Sequence, residues 1–168
     1  MPGEFGDEVV IDPSTARGRG WPCLRQFCVF MENRVGRLHD LLRQIEQHDL
    51  RVVGLSLVDS VDFAVARVMV DRTDRAREIF RLSNFTFFEN DILGVLLPDD
   101  PQPYVRICLA LLAAEMNIHY TYPLNYRRGG NGAIAIYVED LDQATHVLES
   151  QGMQMLTEGD LLQDDEFF

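Results

Sequence analysis

The chain has 168 residues, 46% hydrophobic and 25% charged, which is enough apolar material for one ordinary domain or two small ones. A net charge of −12 repels a phosphate backbone, and all 15 basic residues are arginines, so Schiff-base catalysis, lysine general bases and the phosphate-loop lysine are excluded. No apolar run approaches the ~20 residues of a membrane span; the acidic start is the reverse of a secretory signal, and Cys23, Cys28 and Cys108 in no metal-like spacing read as reduced cytoplasmic thiols.

Residues 1–23 carry Gly, Pro, Asp and Arg without sustained periodicity, and we expect a loosely ordered extension. Val9-Val10-Ile11 is a short apolar island that suits an edge strand, and the single Arg17–Gly20 repeat reads as linker rather than RNA contact on so acidic a chain. Regular patterning begins with a strand over Leu24–Met31 and a helix over Gly36–His48, in which Leu38, Leu41, Leu42 and Ile45 form one stripe. Gly36 sits where the chain turns into that helix, a place that allows positive φ and close approach to the backbone. The free N–H groups of a first helical turn are receptive to a carboxylate. The alternative role for Gly36 is a tight strand-to-helix turn and nothing more.

Period-2 alternation then predicts a strand over Leu50–Val58, a turn at Asp59–Asp62 and a strand over Phe63–Val70. Asp71–Asp74 offers caps for a helix that turns Ala76, Ile79 and Phe80 inward and ends at Asn84, and Phe85–Phe88 supplies a fourth strand. The order βαββαβ is then repeated. Ile92–Leu97 is a strand, Pro98–Tyr104 a turn, and Val105, Cys108, Leu109 and Leu112 form the next helical stripe. Ile118–Leu124 is a strand with Tyr120 and Tyr122 on one face, Tyr126–Gly132 a hairpin loop, and Ala133–Val138 a strand. A helix with Ala144, Val147 and Leu148 inward and a closing segment at Met153–Leu156 complete the unit, before an acidic tail.

The repeat is visible position by position: Ala76, Ile79, Phe80 and Asn84 recur 68 residues on as Ala144, Val147, Leu148 and Gly152, and the first helical stripe recurs after 67. A period near 70 implies two copies of one small domain, at 24–91 and 92–162, with a tail over 163–168. Each copy alone buries too little surface to be robust. Two strands, Phe63–Val70 and Ala133–Val138, are apolar on both faces, so sheet edges or open faces should be buried between the copies.

Each copy resembles an ACT domain, a small amino-acid-sensing regulatory module. The resemblance rests on Phe30–Leu38, the helix that runs on to Asp49-Leu50-Arg51-Val52, and Asp74-Arg75-Ala76 with Ile79-Phe80. In the second copy it rests on Met116–Tyr122 and Glu139–Ala144. It implies an α+β fold of two ferredoxin-like βαββαβ domains, antiparallel sheets with helices on one face. It also implies ligand binding between domains packed side by side. Carried over by position, Asn33, Arg34, Val35, Gly36, Arg37 and Leu38 form the loop side of one site, with Asn117, Ile118, His119 and Tyr120 opposite. A reciprocal site would set Asp100–Tyr104 against Gly54–Leu57, but Gln102-Pro103-Tyr104 lacks the glycine.

The resulting expectation is a non-enzymatic, cytoplasmic sensor of an amino acid or similar small carboxylate, without cofactor or metal. It is expected to form a homodimer and to be read by a regulated enzyme or transporter. It is not expected to bind nucleic acid or membrane. The alternatives are a ligand-free interaction module and, further off, a small enzyme on the same scaffold. Against catalysis, His39, His48, His119 and His146 are dispersed, no catalytic motif occurs, and Arg127–Gly132 fits a glycine-rich hairpin better than a phosphate cradle. Asn33 reads equally well as a turn residue and as a ligand contact.

Overall fold

Alternating strands and two amphipathic helices per repeat set the element order. It runs β1 (Leu24–Glu32), α1 (Val35–Gln47), β2 (Val52–Asp59), β3 (Phe63–Val70), α2 (Thr73–Leu82), β4 (Thr86–Leu96), α3 (Pro103–Ala113), β5 (Tyr120–Arg128), β6 (Asn131–Tyr137), α4 (Leu141–Ser150) and the single turn α5 (Glu158–Leu161). This structure, a computed structural model, describes residues 22–162. The Val9–Ile11 island, the Arg17–Gly20 repeat and the acidic tail lie outside the described residues.

The strands form one antiparallel sheet in the order β2-β3-β1-β4-β6-β5. Strand β4 belongs to both halves: its first part pairs with β1, from Phe30↔Thr86 to Leu24↔Ile92, and its second with β6, from Leu93↔Ile136 to Leu96↔Ala133. The two strands expected at Phe85–Phe88 and Ile92–Leu97 are therefore one. Glu89-Asn90-Asp91 lies between the two expected strands, yet each of its side chains has a partner in the fold. Glu89 accepts from Arg77 Nε and Nη2, both at 2.7 Å, Asp91 lies 3.5 Å from buried Arg25, and Asn90 Oδ1 accepts from Gln26 Nε2 at 3.0 Å. Val95 bridges Met155, which gives the second half its fourth strand position. Each half thus has the ferredoxin-like order, with helices on one face of the sheet.

Three apolar clusters result. Phe27, Leu41, Ile45, Val68 and Phe80 pack under α1 and α2. Leu93, Ile107, Leu111, Ile136 and Leu148 pack under α3 and α4. The third, with Leu24, Val53, Met69, Ile92, Tyr122, Leu124, Tyr126 and Leu161, fills the helix-free side, where the sheet curls until β2 meets β5. Of the two expected ways to pack the copies, it is the open faces that close on each other. Gly54 makes this possible: a Cβ there would lie 2.7 Å from the Tyr122 ring and 2.9 Å from Leu124.

All four long helices end in a left-handed residue, Asp49 (φ 54°), Asn84 (58°), Glu115 (60°) and Gly152 (79°). These ends fix the true spacing of the repeat. Leu50 N–H donates to Ile45 C=O and Met116 N–H to Leu111 C=O, both at 3.1 Å, so α3 follows α1 by 66 residues and not 67. The slip turns the helix around: Val105, Leu109 and Leu112, expected inside, are 48%, 59% and 53% exposed, while Ile107, Ala110 and Leu111 are buried. Helix α3 is apolar nearly all round, so two stripes satisfy its periodicity and only the tertiary register chooses between them. The caps expected for α2 are also not used. Arg72 holds the cap position without a side-chain bond, and Asp71 Oδ1 instead accepts the Arg51 N–H at 3.0 Å.

The turn α5 ties the halves together. Thr157 and Asp160 form a reciprocal capping box, Asp160 accepts from Arg128 Nη2 at 2.6 Å, and Leu161 enters the third cluster. Beside it Thr73 Oγ1 donates to Glu158 at 3.4 Å across the halves. Burial holds the Glu158 carboxyl above its ordinary value, opposed by Arg25 and by the Thr73 bond.

Gly54→Ala should lower the unfolding free energy by about 1–3 kcal/mol, the usual cost of overpacking, in urea titrations. Gly132→Ala, where the nearest atom is Leu97 Cδ1 at 3.7 Å, should leave it nearly unchanged. The raised Glu158 pKa means that the native state holds its proton at a pH where the unfolded chain has lost it. Its contribution is full below the ordinary 4.5 and is lost as pH rises through the native value. Stability measured in steps upward from pH 4.5 should show this loss in the parent protein, and the step should vanish in Glu158→Gln.

Candidate functional site

The β1–α1 turn is held from the side by the β2–β3 hairpin. Asn33 donates its backbone N–H to Asp62 C=O at 3.0 Å and its side-chain Nδ2 to Ser60 C=O at 2.9 Å. Arg34 is the extended cap residue of α1 and pairs with Glu32. It makes no side-chain cap, and the first turn of α1 contains no acid. The helix start is therefore left with unneutralised donors at its positive end.

Gly36 lies inside the first helical turn. Its φ is not left-handed, and nothing stands within 4 Å of where a Cβ would be. The expected positive φ is absent, and the chain itself makes no demand for glycine at this position. The bare backbone leaves open space beside the helix start.

A cavity of about 560 Å³ lies between the turn, α1 and the helix-side surface of β2 and β3, and Gly36 is not among the residues that line it. Met31, Val35, Leu38, Leu42, Leu57 and Ala64 give it apolar walls, and Glu32, Asn33, Arg34, His39 and Asp59 stand among them. Of the residues expected to form the loop side, Asn33, Arg34, Val35 and Leu38 come together here. Arg37 lies elsewhere: its guanidinium carbon sits 5.3 Å from the Phe85 ring centre, and it pairs with Asp40 at 3.7 Å beside a separate polar cavity.

The residues expected opposite are not in this lining. Ile118 packs against the core of the second half, His119 Nε2 is 3.4 Å from Glu139, and Asn117 precedes β5. Tyr120 lies at the closed helix-free face, where its hydroxyl accepts from Gln26 Nε2 at 2.7 Å. The wall facing the turn comes instead from Leu57, Asp59 and Ala64 of the same half. The alternation that includes Leu57 was legible; that β2 would run on to Asp59 as an edge strand with Leu57 half exposed was not. The reciprocal pair is likewise not assembled, because Gly54 closes on Tyr122 and Leu124.

Sequence reasoning also passed over Gln26. It is fully buried and uses its whole amide, donating to Asn90 and Tyr120 and accepting from Tyr122 Oη at 2.6 Å. Burial pushes the Tyr122 phenol up, so it stays a donor. Among the described residues no group of three or more His, Cys, Asp or Glu is placed to hold a metal, and no helix is long and apolar enough to cross a membrane.

This architecture of paired βαββαβ halves is that of a regulatory-domain family. A family model described as an ACT domain pair matches residues 23–164, and the chain belongs to that family. Among solved structures, it is similar to protein BT0572 from Bacteroides thetaiotaomicron, with a TM-score of 0.75 and 22% identity over 84% of this chain and 96% of that one. It is also similar to the ligand-free regulatory subunit of aspartate kinase from Thermus thermophilus, with a TM-score of 0.52 and 10% identity over 79% of this chain and 95% of that one. At these identities the likeness is one of fold. A comparison with curated proteins gives no match.

Because Gly36 is helical and unobstructed, Gly36→Ala should raise the unfolding free energy by ~0.5 kcal/mol through helix propensity. The added methyl group enters open space and meets no neighbour. Urea titration of the variant beside the parent protein checks the gain.

Proposed function

We propose that the protein is a non-enzymatic sensor whose cavity at the β1–α1 turn binds an apolar amino acid. The observation that carries this reading is an uncapped, acid-free helix start opening into an apolar cavity of about 560 Å³. The ligand carboxylate sits on the N–H groups around Val35 and Gly36, where each charge-assisted bond contributes ~1.5–3 kcal/mol. The ammonium faces Asp59, Glu32 and the free side-chain oxygen of Asn33, and the side chain lies on Leu38, Leu42, Leu57 and Ala64. The units 24–91 and 92–162 act as one frame through β4. A second copy pairs along the free edge of β2, where Leu55 and Leu57 are exposed, to form a dimer. A regulated enzyme or transporter in the cytoplasm reads the change in packing at that edge, a coupling of typically ~1–3 kcal/mol.

A second reading, a ligand-free interaction module, draws support from the exposed apolar side of α3, formed by Tyr104, Val105, Leu109 and Leu112. Thermal shifts with each of the twenty amino acids at millimolar concentration separate the two. Leu, Ile, Val or Met should raise the melting temperature, a ligand at a hundred times its Kd adding ~2.7 kcal/mol. Leu57→Asp should remove the shift. A flat panel would favour the interaction module.

A further inference from the structure

The helix-free face of the first half is graded along its strands. Cross-strand register sets Gln26, Asn90, Met69 and Gly54 in one row and Cys28, Phe88, Arg67 and Ser56 in the next. Beyond these lies the row of Phe30, Thr86, Val65 and Val58. In the first row Gln26 and Met69 are fully buried against the second half. In the last row Phe30 is 39% and Val58 47% exposed, and Phe88 in the row between is 48% exposed. The rings of Phe30 and Phe88 pack at 5.5 Å, so these exposed aromatics form one patch.

The second half closes the same end of its own face. There Leu161 of α5 joins Tyr126 and Ala133, and Arg128 bonds both Tyr126 Oη and Asp160. No described residue performs this service for the first half.

Arg67 stands at the boundary between the buried and the open rows. Its guanidinium carbon lies 3.7 Å from the centre of the Tyr120 ring. Among the described residues it has no carboxylate within 4.0 Å, although the chain carries 27 acids. The neighbouring Asn90 has its Oδ1 engaged by Gln26 and Cys28, with its amide N–H groups free to donate. A stacked guanidinium with unused donors, beside an aromatic patch, has the chemistry of a site for an anion with an apolar tail.

We propose that this open end binds a monocarboxylate carrying an aliphatic chain, its carboxylate on Arg67 and Asn90 and its chain across Phe30, Phe88, Val65 and Val58. The site is separate from the cavity at the β1–α1 turn and stands or falls independently of it.

Octanoate and octanol, titrated into the full chain and followed by calorimetry and NMR, test the assignment. Octanoate should bind, with nuclear Overhauser contacts from its chain to the Phe30 and Phe88 rings in the parent protein. Arg67→Met should weaken octanoate at least tenfold and leave octanol unchanged, Arg67→Lys should recover most of the loss, and Phe88→Ala should weaken both. Absence of octanoate binding at millimolar concentration would overturn the proposal, as would binding unchanged by Arg67→Met. Contacts to Leu38 and Leu42 in place of the two phenylalanines would also overturn it, since they would move the ligand to the turn cavity.

Discussion

The close approach of β2 to β5 at Gly54 is the contact on which the rest of the arrangement depends. Packed sheets ordinarily stand ~10 Å apart, with side chains from both filling the gap. Here Gly54 contributes none, and the Tyr122 ring occupies the space its side chain would have used. Because Tyr122 is drawn in so far, its hydroxyl ends inside the fold and requires a partner, which Gln26 supplies from the opposite strand layer. Gln26 in turn satisfies Tyr120 and Asn90. Each buried polar group is thus accounted for by the next, and the network locks one register between the halves.

The same closure decides what the seam can hold. Where Leu24, Met69, Ile92, Tyr122 and Leu124 fill it, it leaves no space for a small molecule. On the other side of the sheet, beside α1, the first half alone walls a cavity. The second half joins this frame through β6 on β4, and β4 pairs with β1, which leads into the turn that Asn33 fastens to the β2–β3 hairpin.

The fold was legible because it is written in local patterns, namely strand alternation, helical stripes and a repeat with matching left-handed helix ends. What was misread turned on tertiary facts. Helix α3 has two apolar stripes, and one residue of slip in the repeat selects the wrong one. Glu89-Asn90-Asp91 falls between two expected strands because nothing local shows its partners Arg77, Arg25 and Gln26. Asn33, Arg34, Val35 and Leu38 come together because they follow one another through a strand-to-helix turn, which is a local signal. That Leu57, Asp59 and Ala64 face this turn is not local, because it depends on the order of strands in the sheet. Gln26 carries no sequence signal at all, as a glutamine in a strand is usually solvated.

The two halves are not equivalent as anion sites, and the reason can be read from their helix starts. With the 66-residue spacing, Gly36 corresponds to Gln102, the cap residue of α3, and Arg37 to Pro103. Pro103 has no N–H to offer. The Gln102 N–H is already held by Asp100 Oδ1 at 2.9 Å, and Asp100 also faces Arg106 at 3.5 Å. A carboxylate approaching α3 would meet a carboxylate in place and one donor fewer. Neither helix has an acid in its first turn, but α1 carries no proline there. Two copies of one domain thus share a backbone while their helix starts differ in the donors left unbonded.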